Sequence, residues 1–303
     1  MKKRMQGAWI VAAAMAVAGL TQAQTPTPEA TAKPSSDELK VLAIGNSFSN
    51  NATRQLPALA KAAGKKLKVV GASIGGCDFE KHVRLAEAHA ADPAQGKPYG
   101  GKSLQQMLAS DAWDVVTIQQ VSHKSFKPET FRPHALKLIA IIREYAPQAE
   151  IVIHQTWAYR DDHKFWGKKD FDTDVMYAGV RKTYDDFAAE VGFRLIPSGD
   201  AMEAARRDAE WGPFLAGDPP APRGEKALHV KDAYHANVKG EYLQGCVWLA
   251  FLFKEKVSGN PFVPKGMTAD EAAVLQRIAD EVVIGGKRPG PRVGFSGSGS
   301  KNQ

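Results

Sequence analysis

Cysteine is nearly absent: Cys77 and Cys246 are the only two among 303 residues. Two thiols cannot build a disulfide framework, so the chain must hold together through an ordinary core; whether the two bond to each other stays open on sequence alone. Long apolar runs are equally scarce. Beyond residue 20 no stretch is long and apolar enough to cross a bilayer as a helix. Charge blocks are missing too. The 40 Lys and Arg residues and 33 Asp and Glu residues are interspersed, and the net +7 loses three units if Lys2, Lys3 and Arg4 are removed. That pattern carries no nucleic-acid footprint. No internal repeat is visible, and no His-Glu-x-x-His or comparable ligand spacing appears among the eight histidines, so neither a metal nor an organic cofactor is expected.

The one apolar run that does occur lies at the N-terminus. Lys2-Lys3-Arg4 precede Ala8–Leu20, and Thr21-Gln22-Ala23 follow with small residues at the positions a cleavage site uses. Residues 1–23 therefore read as a signal peptide, which implies an exported protein without stable membrane insertion after cleavage. Residues 24–38, rich in Thr, Pro, Ala and Ser, read as a disordered linker, and residues 285–303, rich in Gly, Pro, Ser and basic residues, as a disordered tail. Residues 39–284 remain as one domain large enough to bury a sizeable core.

Within that domain, short runs rich in Val and Ile alternate with amphipathic patterns. Strands are expected at Val41–Ile44, Lys68–Gly71, Val115–Gln119, Glu150–His154 and Phe193–Ile196. Helices are expected at 54–63, 79–89, 104–108, 133–145, 175–191, 237–256 and 269–283. The alternation argues for an α/β fold, a three-layer α/β/α sandwich with a parallel sheet of about five strands. In such sheets ligands bind beyond the carboxyl ends of the strands. Here those ends are polar or glycine-rich: Gly45-Asn46-Ser47, Gly71 to Gly76, Gln119 to His123 and His154 to Trp157.

Three short signals carry chemistry. Ser47 follows an apolar strand in a Gly-Asn setting, where it would either be exposed for attack or cap the next helix. Asp232-Ala-Tyr-His235 puts a carboxylate three residues before an imidazole, either as base and orienting acid or as an ordinary surface turn. Gly75-Gly76 allows close backbone approach and an N–H pointed into a site, or a plain turn.

Their order along the chain resembles the SGNH (GDSL-like) hydrolase superfamily, from about Lys40 to about Lys256. The segments Leu42–Ser49, Ile74–Cys77, Trp113–His123, His154–Tyr159 and Ile196–Gly199 look more narrowly like the SGNH-like bacterial family DUF4886. The resemblance implies a flavodoxin-like sandwich, Ser47 as nucleophile, Asp232 as orienting acid and His235 as base. It implies an oxyanion hole from the N–H groups of Ser47 and Gly76. Two departures stand out. Asn46 replaces the usual Asp of the first box, and the third box lacks its Asn, leaving Gln120 or Ser122 as candidates for the third oxyanion donor.

Gly96–Ser103 matches the P-loop lettering but does not follow a strand, so nucleotide binding is not expected. Residues 157–166 mix aromatic and charged side chains beyond a strand end, which would suit stacking on a sugar ring or an ordinary packed loop. His154 and Trp157 are the candidate substrate-facing residues. The expected partner is a small acyl ester or an acetylated carbohydrate; the competing readings are a non-catalytic carbohydrate-binding relative and an acyltransferase to sugar.

Overall fold

The computed structural model describes residues 38–164, 171–211 and 227–290. The expected signal peptide, nearly all of the expected linker, and Phe165 and Trp166 lie outside the described residues, as does the C-terminal segment from 291 on.

Five parallel strands form one sheet in the order β2-β1-β3-β4-β5: β1 (Glu38–Gly45), β2 (Lys66–Ser73), β3 (Val115–Ile118), β4 (Glu150–His154) and β5 (Leu195–Ile196). β3 is central and all four of its residues are buried, which explains its unbroken Val-Val-Thr-Ile run. Edge strand β2 is exposed or partly covered except at the buried Ala72, and runs two residues beyond its apolar signal at each end. β5 keeps only its last two expected residues.

The helices are α1 (Ser47–Thr53), α2 (Leu56–Ala62), α3 (Phe79–Ala91), α4 (Leu104–Leu108), α5 (His134–Tyr145), α6 (Thr173–Val191), α7 (Ser198–Arg207), α8 (Val238–Phe253) and α9 (Ala269–Val283). α8 packs against α1, α2, α7 and α9, while α3 packs against α4 and α5. The three-layer α/β sandwich expected from the sequence is the observed one. α8 is buried along almost its whole length, from Gly240 to Leu252. Each large apolar side chain it buries there contributes about 1.5–3 kcal/mol. No helix among the described residues is long and apolar enough to cross a membrane.

The chain leaves β1 first for β2 on one side and later for β3 on the other. The strand order therefore reverses beside β1, and past the carboxyl end at such a switch point is where sheets of this kind bind ligands. Ser47 stands two residues beyond that end.

One detail differs from the expectations, and one left open by the sequence is settled. Residues 285–290 are not a loose tail: Arg288 bonds Asp185 at 2.6 Å and pairs with the buried Asp200, and Arg207 donates to the Gly290 carbonyl at 2.8 Å. Cys77 and Cys246 are both free and buried. Burial pushes the Cys77 thiol up to about 12, so it stays protonated and behaves as a small apolar group.

Candidate active site

The turn after β1 resolves what Ser47 does. Asn46 is the N-cap of α1; its Oδ1 accepts from the Phe48 N–H at 3.0 Å and from Gln119 Nε2 at 2.8 Å. Its Nδ2 donates to the Cys77 carbonyl at 2.9 Å. Capping thus belongs to Asn46, and Ser49 is buried with its hydroxyl on Gln119 Oε1 at 2.5 Å. The Ser47 hydroxyl is left for something else. As the first helical residue, Ser47 also has a backbone N–H without an intrahelical acceptor.

That hydroxyl meets His235. Ser47 Oγ lies 2.7 Å from His235 Nε2, and His235 Nδ1 lies 2.7 Å from Asp232 Oδ2. A carboxylate only accepts, so Nδ1 carries the proton and Nε2 accepts from the Ser47 O–H. The other Asp232 oxygen accepts the N–H groups of Tyr234 and His235 at 3.0 and 2.9 Å. Partial burial pushes the Asp232 carboxyl upward, but these backbone bonds and the bond and charge of His235 outweigh it. The net position is below the usual carboxylate range, so Asp232 is ionised at neutral pH. Between the two residues Ala233 sits at φ +67°. That conformation costs a residue with a Cβ about 1–2 kcal/mol, and the surrounding bonds hold it.

Those bonds come mainly from the loop after β4. Arg160 donates from its backbone to the Ala233 carbonyl at 2.8 Å, and from its guanidinium to the carbonyls of His229 and Val230 at 3.1 Å each. Trp157 Nε1 donates to the Tyr234 carbonyl at 2.9 Å, and its ring stacks on Phe48 at 4.2 Å. From the other side, Asn51 Oδ1 accepts the Ala236 N–H at 3.3 Å, while Asn51 Nδ2 donates to Glu241 at 2.8 Å. The helix that starts at Ser47 is thereby tied directly to the loop that carries His235.

Gly76 stands across the turn after β2 at φ +61°, a left-handed conformation that favours glycine. A Cβ there would meet only open space. Its N–H, like that of Ser47, donates to no acceptor among the described residues. The Asn46–Cys77 bond and an Ile74 N–H to Gly45 carbonyl bond at 3.2 Å hold this turn against the start of α1. Two unused N–H groups thus share one rim with a hydroxyl, an imidazole and a carboxylate. That set can deprotonate an alcohol, present it to a carbonyl and stabilise the resulting oxyanion.

Three expected site residues are elsewhere. Gln120 is buried and fully engaged. Its amide donates to the Thr130 carbonyl and hydroxyl at 2.9 and 3.3 Å, and its oxygen accepts from Val121 and Phe79 at 2.9 and 3.3 Å. It ties the 121–131 loop together and has no donor to spare. The alternative, Ser122, is also occupied, at 2.8 Å from the Tyr159 hydroxyl. His154 is wholly buried, bonded to Ser198 Oγ at 3.1 Å and edge-on to Trp248; desolvation pushes its imidazole down to about 3. Trp157 is also fully buried, as a support behind the Asp232–His235 loop. Side chains near a strand end still alternate into the two helix layers, so nearness to the rim does not make them face it. Tyr159 is almost covered and Arg160 is a clamp, so neither forms an open sugar-stacking platform. Asn51 and Arg160 are the positions whose roles sequence reasoning missed, because their partners lie far along the chain.

The model of the family DUF4886, a domain of unknown function, matches residues 40–282. A DUF4886 family protein from Bacteroides uniformis is similar in structure, with TM-score 0.70 and 27% identity over 84% of this chain and 98% of that one. A member of the lipolytic protein G-D-S-L family from Veillonella parvula matches at TM-score 0.45 and 13% identity, over 72% of this chain and 100% of that one. No curated protein matches the chain.

Proposed function

The chain belongs to the DUF4886 family, and on that footing we propose that it is an exported serine hydrolase acting on small acyl esters. The observation that carries the reading is the unbroken chain of two 2.7 Å contacts from Ser47 through His235 to Asp232.

In the proposed reaction, His235 Nε2 takes the proton of Ser47 as Oγ attacks the ester carbonyl. Asp232 keeps the imidazole in the required tautomer and stabilises the imidazolium that forms. The N–H groups of Ser47 and Gly76 receive the oxyanion. His235 then gives its proton to the departing alcohol, leaving an acyl-Ser47 ester. Water, deprotonated by the same imidazole, releases the acid. Two backbone donors carry the oxyanion here, since Gln120 and Ser122 are engaged. Each donor is then worth about a hundredfold or more in rate.

The substrate class proposed is an acetyl ester, with acetylated carbohydrate as the natural form. The signal-peptide pattern at residues 1–23 supports a substrate outside the cytoplasm. Turnover of p-nitrophenyl acetate by wild type and Ser47→Ala tests the hydrolase. Wild-type activity lost in the variant supports it; equal rates, or none on a panel of acyl esters, would overturn it. Release of acetate from an acetylated oligosaccharide in water, with none passed to an added bare oligosaccharide, separates hydrolysis from acyl transfer.

A further inference from the structure

Behind the nucleophile turn lies a second imidazole that this chemistry does not use. His82, on α3, is wholly buried. Its Nε2 lies 3.1 Å from the Gly45 carbonyl, and its Nδ1 lies 2.6 Å from the Tyr99 hydroxyl. A carbonyl only accepts, so Nε2 carries the proton. Nδ1 is then a bare acceptor, and the Tyr99 O–H donates to it. Desolvation pushes His82 down to about 4 against the opposing pull of the Gly45 carbonyl, so the ring is neutral around pH 7.

Tyr99 reaches this position through the Gly96–Ser103 segment. Tyr99 and Lys102 exchange both backbone hydrogen bonds, at 3.1 and 3.2 Å. Between them Gly100 and Gly101 sit at φ +60° and +83°. A two-residue hairpin turn with positive φ at both central positions is the kind that demands glycine. Ser103 then caps α4. The glycines of the P-loop lettering thus serve a tight turn that sets Tyr99 against α3.

The Gly45 carbonyl receives the His82 N–H and the Ile74 N–H together. With both lone pairs filled, the peptide between Gly45 and Asn46 is held in one orientation, immediately before Ser47.

Building on the hydrolase reading above, we propose that His82 and Tyr99 are positioning residues for the nucleophile. The Tyr99 hydroxyl fixes the His82 tautomer, and the His82 N–H locks the Gly45 carbonyl and so the turn that aims Ser47. The demand on such a lock is high, because misplacing a reacting group by about 1 Å costs about a hundredfold in rate.

Three variants test this with p-nitrophenyl acetate. Tyr99→Phe removes only the hydroxyl and frees the tautomer. His82→Leu removes the donor, and His82→Gln restores an amide N–H at nearly the same reach. We expect kcat to fall about tenfold in Tyr99→Phe and about a hundredfold in His82→Leu, with KM within about twofold. His82→Gln should recover to within about threefold of wild type. Thermal unfolding recorded beside each variant separates aim from folding. An active wild type with three equally active variants overturns the positioning role alone. His82→Gln as impaired as His82→Leu, or losses that track loss of folded protein, overturn it too. A wild type without Ser47-dependent turnover overturns the hydrolase reading and this role with it.

Discussion

His235 Nε2 and Ser47 Oγ lie 2.7 Å apart although 188 residues separate them in sequence. The distance results from packing. α1 and α8 lie against each other, Asn51 bridges them, and the Asp232–His235 loop is gripped by Trp157 and Arg160.

Asp232→Asn tests the electrostatic part of that arrangement. An amide still fits but can present its NH2 to the ring, which favours the tautomer with the proton on Nε2. The kcat on p-nitrophenyl acetate should fall about a thousandfold or more, with KM little changed. A fall of less than tenfold would remove Asp232 from the mechanism.

Asn51→Ala tests the bridge. It strips the Ala236 N–H of its acceptor and leaves Glu241, whose carboxyl burial already pushes upward, without the Asn51 amide. Stability should drop by about 1–3 kcal/mol in urea unfolding, and kcat more than KM. An unchanged midpoint and unchanged kcat would show that the bridge does nothing.

Asn46→Asp introduces the residue usual in the related motif. The structure predicts a loss. A carboxylate can replace Oδ1 toward Phe48 and Gln119, but it cannot donate to the Cys77 carbonyl, which Asn46 Nδ2 serves. Two acceptors would face each other in a buried place. We expect a loss of about 1–3 kcal/mol and slower turnover, read by unfolding and kinetics together. An equally stable and active variant would contradict this.

Stability should fall as pH is lowered from about 6.5. Desolvation holds His82 and His229 down to about 4 and His154 to about 3, all from an ordinary 6.5. Across that window the unfolded chain binds protons that the folded chain refuses. The stabilisation is therefore complete above 6.5 and lost as pH falls toward 4, by up to about 1.4 kcal/mol per pH unit for each group. The buried carboxyls of Asp200 and Glu241, raised by burial, run the other way at the acid end. Urea midpoints at pH 8, 6.5 and 5 check this; a flat profile would contradict it.

Ser47, Asp232 and His235 are legible because each sits in a short local pattern, and the strand before Ser47 announces itself by its apolar run. β3 and β4 were legible for the same reason. α1 was not: Ser-Phe-Ser-Asn-Asn-Ala-Thr has poor intrinsic helix propensity, and its helix rests on the Asn46 cap and on packing against α8. α7 carries no such signal either: its segment looks polar because buried Glu203 pairs with the half-buried Arg206 and Arg207. Gln120 is a candidate only through the Asn missing from the third box, and His154 and Trp157 only through nearness to a strand end; the facing of a side chain there is a property of the packed layers. Asn51 and His82 act through partners that no local pattern reveals.

The proposed activation of Ser47 by His235 is read most directly by labelling the intact protein with a fluorophosphonate, followed by peptide mapping. One modified residue is expected, Ser47, with labelling abolished in Ser47→Ala and strongly slowed in His235→Ala. No label on the folded wild type, or a label on another residue, would contradict it.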